Sequence, residues 1–352
     1  MSAVGAPGPA RPPVIGYYVH HQGLGHWQRA RSIARHLACP PTLLSSLPPP
    51  ADALGDELPR VTLPLDNLTS PADHTAHGTL HWVPRHDQGL RRRMAILADW
   101  IDAADPDLMV VDVSVEVALL CRLMGVPTVV MAMPGDRSDR AHRSAYDSAH
   151  AILAPWAAEF SAAQWTDRWP DKTFHAGAIS RYAGRRPPTA GAHDGPLRVL
   201  VLWGKGGDGR SAAALAAASR ATTHYRWRQA GVGADAGVPV WDLLCWADVV
   251  VTHAGQNAVA EVAAAGRPAV VIAEDRPHGE QRATARTLGR AGLAVGLDSL
   301  PAPEQWPELL AAALAIGGHG WTRWAPPDAA RRAADFLHAS TVEVRRRIAP
   351  VA

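Results

Sequence analysis

Residues Asp248–Ala285 read DVVVTHAGQNAVAEVAAAGRPAVVIAEDRPHGEQRATA. The run Asp248–Thr252 is short, apolar and β-branched, as a buried strand is. It ends at His253-Ala254-Gly255, and a helical pattern begins near Asn257. A second apolar run, Ala269–Ala273, is followed by the loop Glu274–Gly279 and a further helix start at Glu280-Gln281. Strand, glycine turn, helix, strand is the repeating unit of a parallel α/β sheet.

The same pattern recurs on both sides. Toward the C-terminus lies a strand at Ala294–Leu297, then a helix from Asp328 to His338. Upstream, Leu197–Leu202 is a strand, Gly204–Gly209 a glycine-rich turn and Ser211–Ser219 a helix. Composition changes over Arg181–Pro196, where Gly, Pro, Arg and Ala dominate, so this segment reads as a linker. Before it, Val14–Val19 is a buried strand leading through His20-His21-Gln22-Gly23-Leu24-Gly25-His26 into a helix with apolar Trp27, Ala30, Ile33, Ala34 and Leu37. The next elements are a helix over Gln88–Ala103, a strand Leu108–Val111 ending in Asp112, a helix near Val115–Met124 and a strand Thr128–Met131.

The fold expected is therefore α/β, with two Rossmann-like, doubly wound parallel-sheet domains facing a cleft. Residues 1–13 form a tail, 14–180 the first domain, 181–196 the linker and 197–320 the second domain. Residues 321–352 include a helix expected to cross back to the first domain. The length of 352 residues suits two domains of roughly 170 each.

Composition narrows the function. With 47% apolar and 19% charged residues there is ample material for two cores. A formal charge of +2, from 35 basic and 33 acidic residues, lacks the basic excess of a nucleic-acid binder. Cys39, Cys121 and Cys245 are few, odd in number and far apart, which fits a reducing compartment rather than a disulfide framework. The Met1–Pro13 segment lacks the apolar run of a signal peptide, and no stretch approaches 18 apolar residues, so a cytoplasmic protein without a membrane span is expected. The Arg91–Arg93 run offers a peripheral contact with an anionic membrane, although a solvated helix face is the plainer reading.

The loops carry the chemistry. Gly255 lets the backbone approach a ligand, Asn257 is a good N-cap, and free N–H groups at a helix start bind a pyrophosphate. Glu261, one turn into the helix, offers two acceptors to the vicinal hydroxyls of a ribose. Glu280 and Gln281 together suit several sugar hydroxyls. A plainer alternative is that Glu261 and Glu280 merely compensate helix dipoles.

This block, with Trp246-Ala247-Asp248-Val249-Val250-Val251, Gly255 and Glu261, resembles the donor half of GT-B nucleotide-sugar glycosyltransferases. The resemblance is closest to the lipid-linked N-acetylglucosaminyltransferase of peptidoglycan synthesis and related UDP-sugar transferases. It implies that Glu261 holds the ribose and that Glu280 and Gln281 hold the donor sugar. Where that enzyme has Arg-Ser-Gly this chain has His253-Ala254-Gly255, closer to natural-product and plant-type transferases, which assigns His253 and the adjoining Gln256 to the donor side near the phosphate.

Gly204, Lys205 and Gly206 resemble the glycine turn beside the diphosphate; the GxxxxGK[ST] order of a Walker loop is missing. Gly23, Gly25 and His26 resemble the acceptor-side loop, where a histidine after the last glycine acts as general base. Imidazole is suited to take the proton of an attacking hydroxyl. Asp112, at a strand end, matches the aspartate that orients such a base. It is equally placed to cap the helix starting near Val115.

The resemblance implies an inverting, metal-independent transferase that moves a hexose-type sugar from a UDP-sugar or other nucleotide-sugar. The acceptor is a hydroxyl of a small molecule, glycan or lipid-linked sugar, and no cofactor is expected beyond the donor substrate. Two alternatives stay open. One is a nucleotide-sugar hydrolase in which His26 activates water, since Gly-Leu-Gly-His followed by Arg29 also resembles hydrolases of the pseudaminic-acid route. The other is a non-catalytic sugar-nucleotide-binding subunit. His77 and His81 have the spacing of helical zinc ligands. Their segment, His74–His86, is polar and contains Gly78, so an acceptor-facing loop without metal is expected there.

Overall fold

The computed structural model describes residues 11–21, 24–48, 58–67, 72–186, 195–203, 210–231 and 233–348. Among the described residues there are twelve strands, all paired in parallel, in two sheets. The first sheet contains β1 (Ile15–Val19), β2 (Thr42–Ser45), β3 (Arg60–Thr62), β4 (Leu108–Asp112), β5 (Thr128–Met131), β6 (Ala151–Ala154) and β7 (Thr173–His175). Its order is β3-β2-β1-β4-β5-β6-β7. The second contains β8 (Arg198–Leu202), β9 (Arg226–Gln229), β10 (Val249–His253), β11 (Ala269–Ile272) and β12 (Val295–Leu297), in the order β12-β11-β10-β8-β9.

The helices of the first half are α1 (Gly25–Ala34), α2 (Gln88–Ala104), α3 (Val115–Leu123), α4 (Arg140–Ser148) and α5 (Ala163–Arg168). Those of the second are α6 (Arg210–Ala221), α7 (Val240–Trp246), α8 (Gln256–Ala264), α9 (Glu280–Arg290), α10 (Trp306–Ile316), α11 (Trp321–Trp324) and α12 (Ala329–Ile348).

The central strands are mainly apolar because helices cover both faces of each sheet; every residue of β1, β4 and β11 is buried. In each sheet the chain reverses its winding once. β1 lies between β2 and β4, and β8 lies between β9 and β10. Loops leaving the strand ends at such a point diverge and open a crevice, which is where α/β sheets bind ligands. In this chain the two crevices face each other.

The helix α12 returns to the first sheet. Ala329, Ala330, Ala333, Ala334 and Leu337 are buried in one cluster with Ile15, Trp27 and Ile33. Small residues on one helical face let α12 approach α1 closely, and Phe336 stacks on Phe174 with ring centroids 4.5 Å apart. The crossing is pinned where Ala178 N–H donates to the Trp324 carbonyl at 2.9 Å. No helix among the described residues is long and apolar enough to cross a membrane.

Candidate active site

A cavity of about 1040 Å³ lies between the two sets of strand ends. On the first side, β4 ends in Asp112, which is fully buried and lies beside β1 in register with Val19. Val113 follows with φ +64°, a left-handed conformation that a β-branched residue adopts only under strain. That turn separates two tasks. Ser114, not Asp112, caps α3, its hydroxyl accepting from Val117 N–H at 3.2 Å. Asp112 is left for the cavity side, so the helix-cap reading of this residue does not hold.

His26, in the first turn of α1, brings Nδ1 to 2.9 Å from Asp112 Oδ1. Arg29 is one turn further along the same face. It donates from Nε to Asp112 Oδ2 at 3.0 Å and from Nη2 to Oδ1 at 2.5 Å, a two-pronged ion pair. Burial alone would raise the Asp112 carboxyl; the Arg29 charge and His26 together hold it well below the usual carboxylate range. Arg29 Nη2 lies 2.9 Å from the same Nδ1. A carboxylate can only accept, and the tautomer with the proton on Nδ1 is the one that satisfies Asp112. Nε2 is then left with its lone pair.

On the second side, β10 ends at His253. Its Nδ1 accepts from Gly255 N–H at 3.0 Å, so the neutral ring carries its proton on Nε2. Burial pushes the His253 imidazole down and keeps it neutral. Gly255 is the N-cap of α8, without a side-chain cap hydrogen bond, which leaves the N–H groups of the first turn for a ligand.

Asn257 therefore does not cap the helix. It lies inside the first turn and packs on Gly25, where an added Cβ would stand 1.9 Å from its Nδ2. Gln256 Oε1 accepts from Arg29 Nη1 at 2.9 Å. The N-termini of α1 and α8 thus meet across the cleft, joined by the arginine that also holds Asp112.

The remaining donor-side residues are nearby. Glu280 opens α9, and its Oε2 accepts from Arg137 Nη2 of the first domain at 3.1 Å. Gln281 is buried, and its Oε1 accepts from Glu274 N–H at 3.0 Å. Both line the cavity. Glu261 is buried in α8 behind that wall, with Oε1 2.8 Å from Arg181 Nε. Burial raises its carboxyl to about 7 despite the arginine. Gly23, Gly204, Lys205 and Gly206 lie outside the described residues.

The segment 72–86 forms turns, in which His77 pairs loosely with Asp73 while His81 lines the cavity. One other expectation is corrected. Arg93 is not on a solvated face. It is buried and donates to the Tyr18 hydroxyl and the Ser46 hydroxyl, each at 2.7 Å, whereas Arg91 and Arg92 are exposed.

Sequence reasoning missed Arg137, Arg181 and His278 as part of this region, and it noted Arg29 only by its place after His26. The i, i+3 spacing of His26 and Arg29 was the available signal. Arg137 and Arg181 sit in irregular segments with no local pattern to mark them.

Residues 240–315 match the model of the glycosyltransferase family 28 C-terminal domain, a span that runs from α7 nearly to the end of α10. The chain is similar to the UDP-N-acetylglucosamine–N-acetylmuramyl-(pentapeptide) pyrophosphoryl-undecaprenol N-acetylglucosamine transferase of Salmonella arizonae. The two are 33% identical over 153 residues, covering 38% of this chain and 41% of that one. The chain thus matches about two fifths of that relative's length.

Among solved structures it resembles Acinetobacter baumannii MurG, with a TM-score of 0.62 at 15% identity over 93% of this chain and 100% of the other. It also resembles the spinosyn rhamnosyltransferase SpnG complexed with thymidine diphosphate, with a TM-score of 0.58 at 16% identity over 95% and 99%. Two parallel-sheet α/β domains of this arrangement are the GT-B fold.

Proposed function

We propose that the chain is an inverting glycosyltransferase that moves a hexose-type sugar from a nucleotide-sugar, with UDP the leading candidate, to an acceptor hydroxyl. The observation that carries this reading is the His26–Asp112–Arg29 array facing the open N-terminus of α8. A base with an available Nε2 stands on one wall of the cleft, and a site for a leaving anion on the other. The match over residues 240–315 supports the donor assignment.

In the reaction, His26 Nε2 takes the acceptor's hydroxyl proton as the oxygen bonds to the sugar's anomeric carbon. The bond from that carbon to the phosphate oxygen breaks, and configuration inverts. Asp112 orients the imidazole and stabilises its protonated form. The N–H groups of α8 and the Nε2–H of His253 receive the charge released onto the diphosphate, so the chemistry needs no metal.

Glu280 and Gln281 bind the donor sugar, and Glu261 binds the ribose after exchanging Arg181 for its hydroxyls. Gly25 shapes the acceptor side. The acceptor is a small molecule, glycan or lipid-linked sugar.

The test pairs binding with turnover. At 100 times its dissociation constant, the matching nucleotide adds about 2.7 kcal/mol to the stability of wild type and of His26→Ala alike. Nucleotide release from the sugar conjugate falls by about 10²–10⁴-fold in His26→Ala, the usual worth of a general base. Unchanged release in His26→Ala, or no stabilisation by any nucleotide, overturns the reading. Wild-type release at full rate without acceptor identifies a hydrolase instead.

A further inference from the structure

His81, His142 and His278 arrive from three separate segments and two domains, yet one ring nitrogen of each lies within 4.8 Å of the others. We propose that they form a binding site for a zinc-class divalent transition ion that ties the two domains together. The proposal does not depend on the transfer reaction above.

The donor set suits such an ion. Three imidazoles are borderline-soft ligands, and zinc binds imidazole nitrogen at about 2.0–2.1 Å in a tetrahedral site. Nitrogens around such an ion stand about 3.3 Å apart by that geometry. Modest side-chain rotation of each ring closes the present triangle. The fourth position opens toward the cavity that all three histidines line.

The His142 ring is held from behind, and the backbones of His81 and His278 are held by neighbouring groups. His142 Nδ1 donates to Asp139 Oδ2 at 2.6 Å, which makes Nε2 the nitrogen that carries the lone pair, the carboxylate–histidine arrangement common behind metal ligands. Arg137 Nη1 lies 3.4 Å from that Nε2 and donates into the lone pair; the ion would displace this contact while Arg137 keeps its bond to Glu280. His278, between Pro277 and Gly279, has φ +62°, a left-handed conformation. Its carbonyl accepts from Asp136 N–H at 2.9 Å. Backbone N–H groups of His81 and Trp82 both donate to Glu116 Oε1, at 2.7 and 2.8 Å.

The experiment titrates the full-length, tag-free protein with ZnCl2 by calorimetry and with CoCl2 by visible absorption. Wild type should bind one equivalent, give the intense bands of tetrahedral cobalt, and melt at a higher temperature with zinc than with chelator. His278→Ala and His81→Ala should each weaken zinc at least tenfold and lose both the bands and the thermal shift, and Asp139→Asn should weaken it by roughly tenfold. His81 is exposed, so its variant keeps the fold and remains informative if another variant does not. No zinc binding by wild type, or zinc affinity in His81→Ala and His278→Ala equal to that of wild type, overturns the proposal.

Discussion

Asp112 in the first domain and Glu261 in the second are both buried carboxylates close to the cleft, and their environments drive them in opposite directions. Asp112 receives two donors from Arg29 and a third from His26, and stays ionised. Glu261 has one close arginine, and desolvation wins, raising it to about 7. Burial by itself therefore does not decide the charge of a carboxylate; the number and geometry of cationic donors do. The first side keeps a permanent anion, as an oriented imidazole requires. The second keeps a carboxyl that changes state near neutral pH.

The strongest way to break this comparison is to remove the arginines. Arg29→Met leaves Asp112 buried beside one histidine and should cost about 3–5 kcal/mol in denaturant unfolding. Arg181→Met should cost less than half as much at pH 7, because Glu261 can take up a proton instead. Equal losses would show that the two sites do not differ in this way.

A pH series sharpens the contrast. The folded Glu261 holds a proton that the unfolded chain has already released, so its contribution is complete below about pH 4.5 and disappears as pH rises through about 7. Glu261→Gln should flatten that fall, worth roughly 3 kcal/mol from the size of the shift. Asp112 has the opposite sign. Its contribution is present above about pH 4 and is lost only as pH falls toward its depressed folded value, so Asp112→Asn should flatten the acid limb instead. The smallest effect belongs to the turn that positions Asp112. Val113→Gly relieves the left-handed strain and should raise the unfolding free energy by no more than about 1 kcal/mol in denaturant titrations.

The strands β1, β4, β5, β8, β10 and β11 were legible from sequence because both faces are covered and each is mainly apolar. Three of the four edge strands were not. β3 (Arg60–Thr62), β7 (Thr173–His175) and β9 (Arg226–Gln229) are only partly buried, and their mixed composition looks like loop. His26 and Asp112 could be paired because topology brings β1 and β4 together, so residues at their ends must meet. Asn257 misled, since a residue favoured at helix caps is here two positions past the cap, inside the first turn against Gly25. The histidine triad was unreadable because only tertiary folding assembles its three segments, and the one spacing that looked like a metal site, His77 and His81, was local and belonged to no helix.

The return of α12 to the first domain has a consequence for biosynthesis. One face of the first sheet, around Ile15, Trp27 and Ile33, is sealed by alanines that follow the entire second sheet in the chain. A growing chain on the ribosome must carry that oily surface uncovered until the second domain has been made. Chaperone dependence and yield should therefore respond to substitutions at Ala330 or Ala333 more than to equally buried alanines elsewhere.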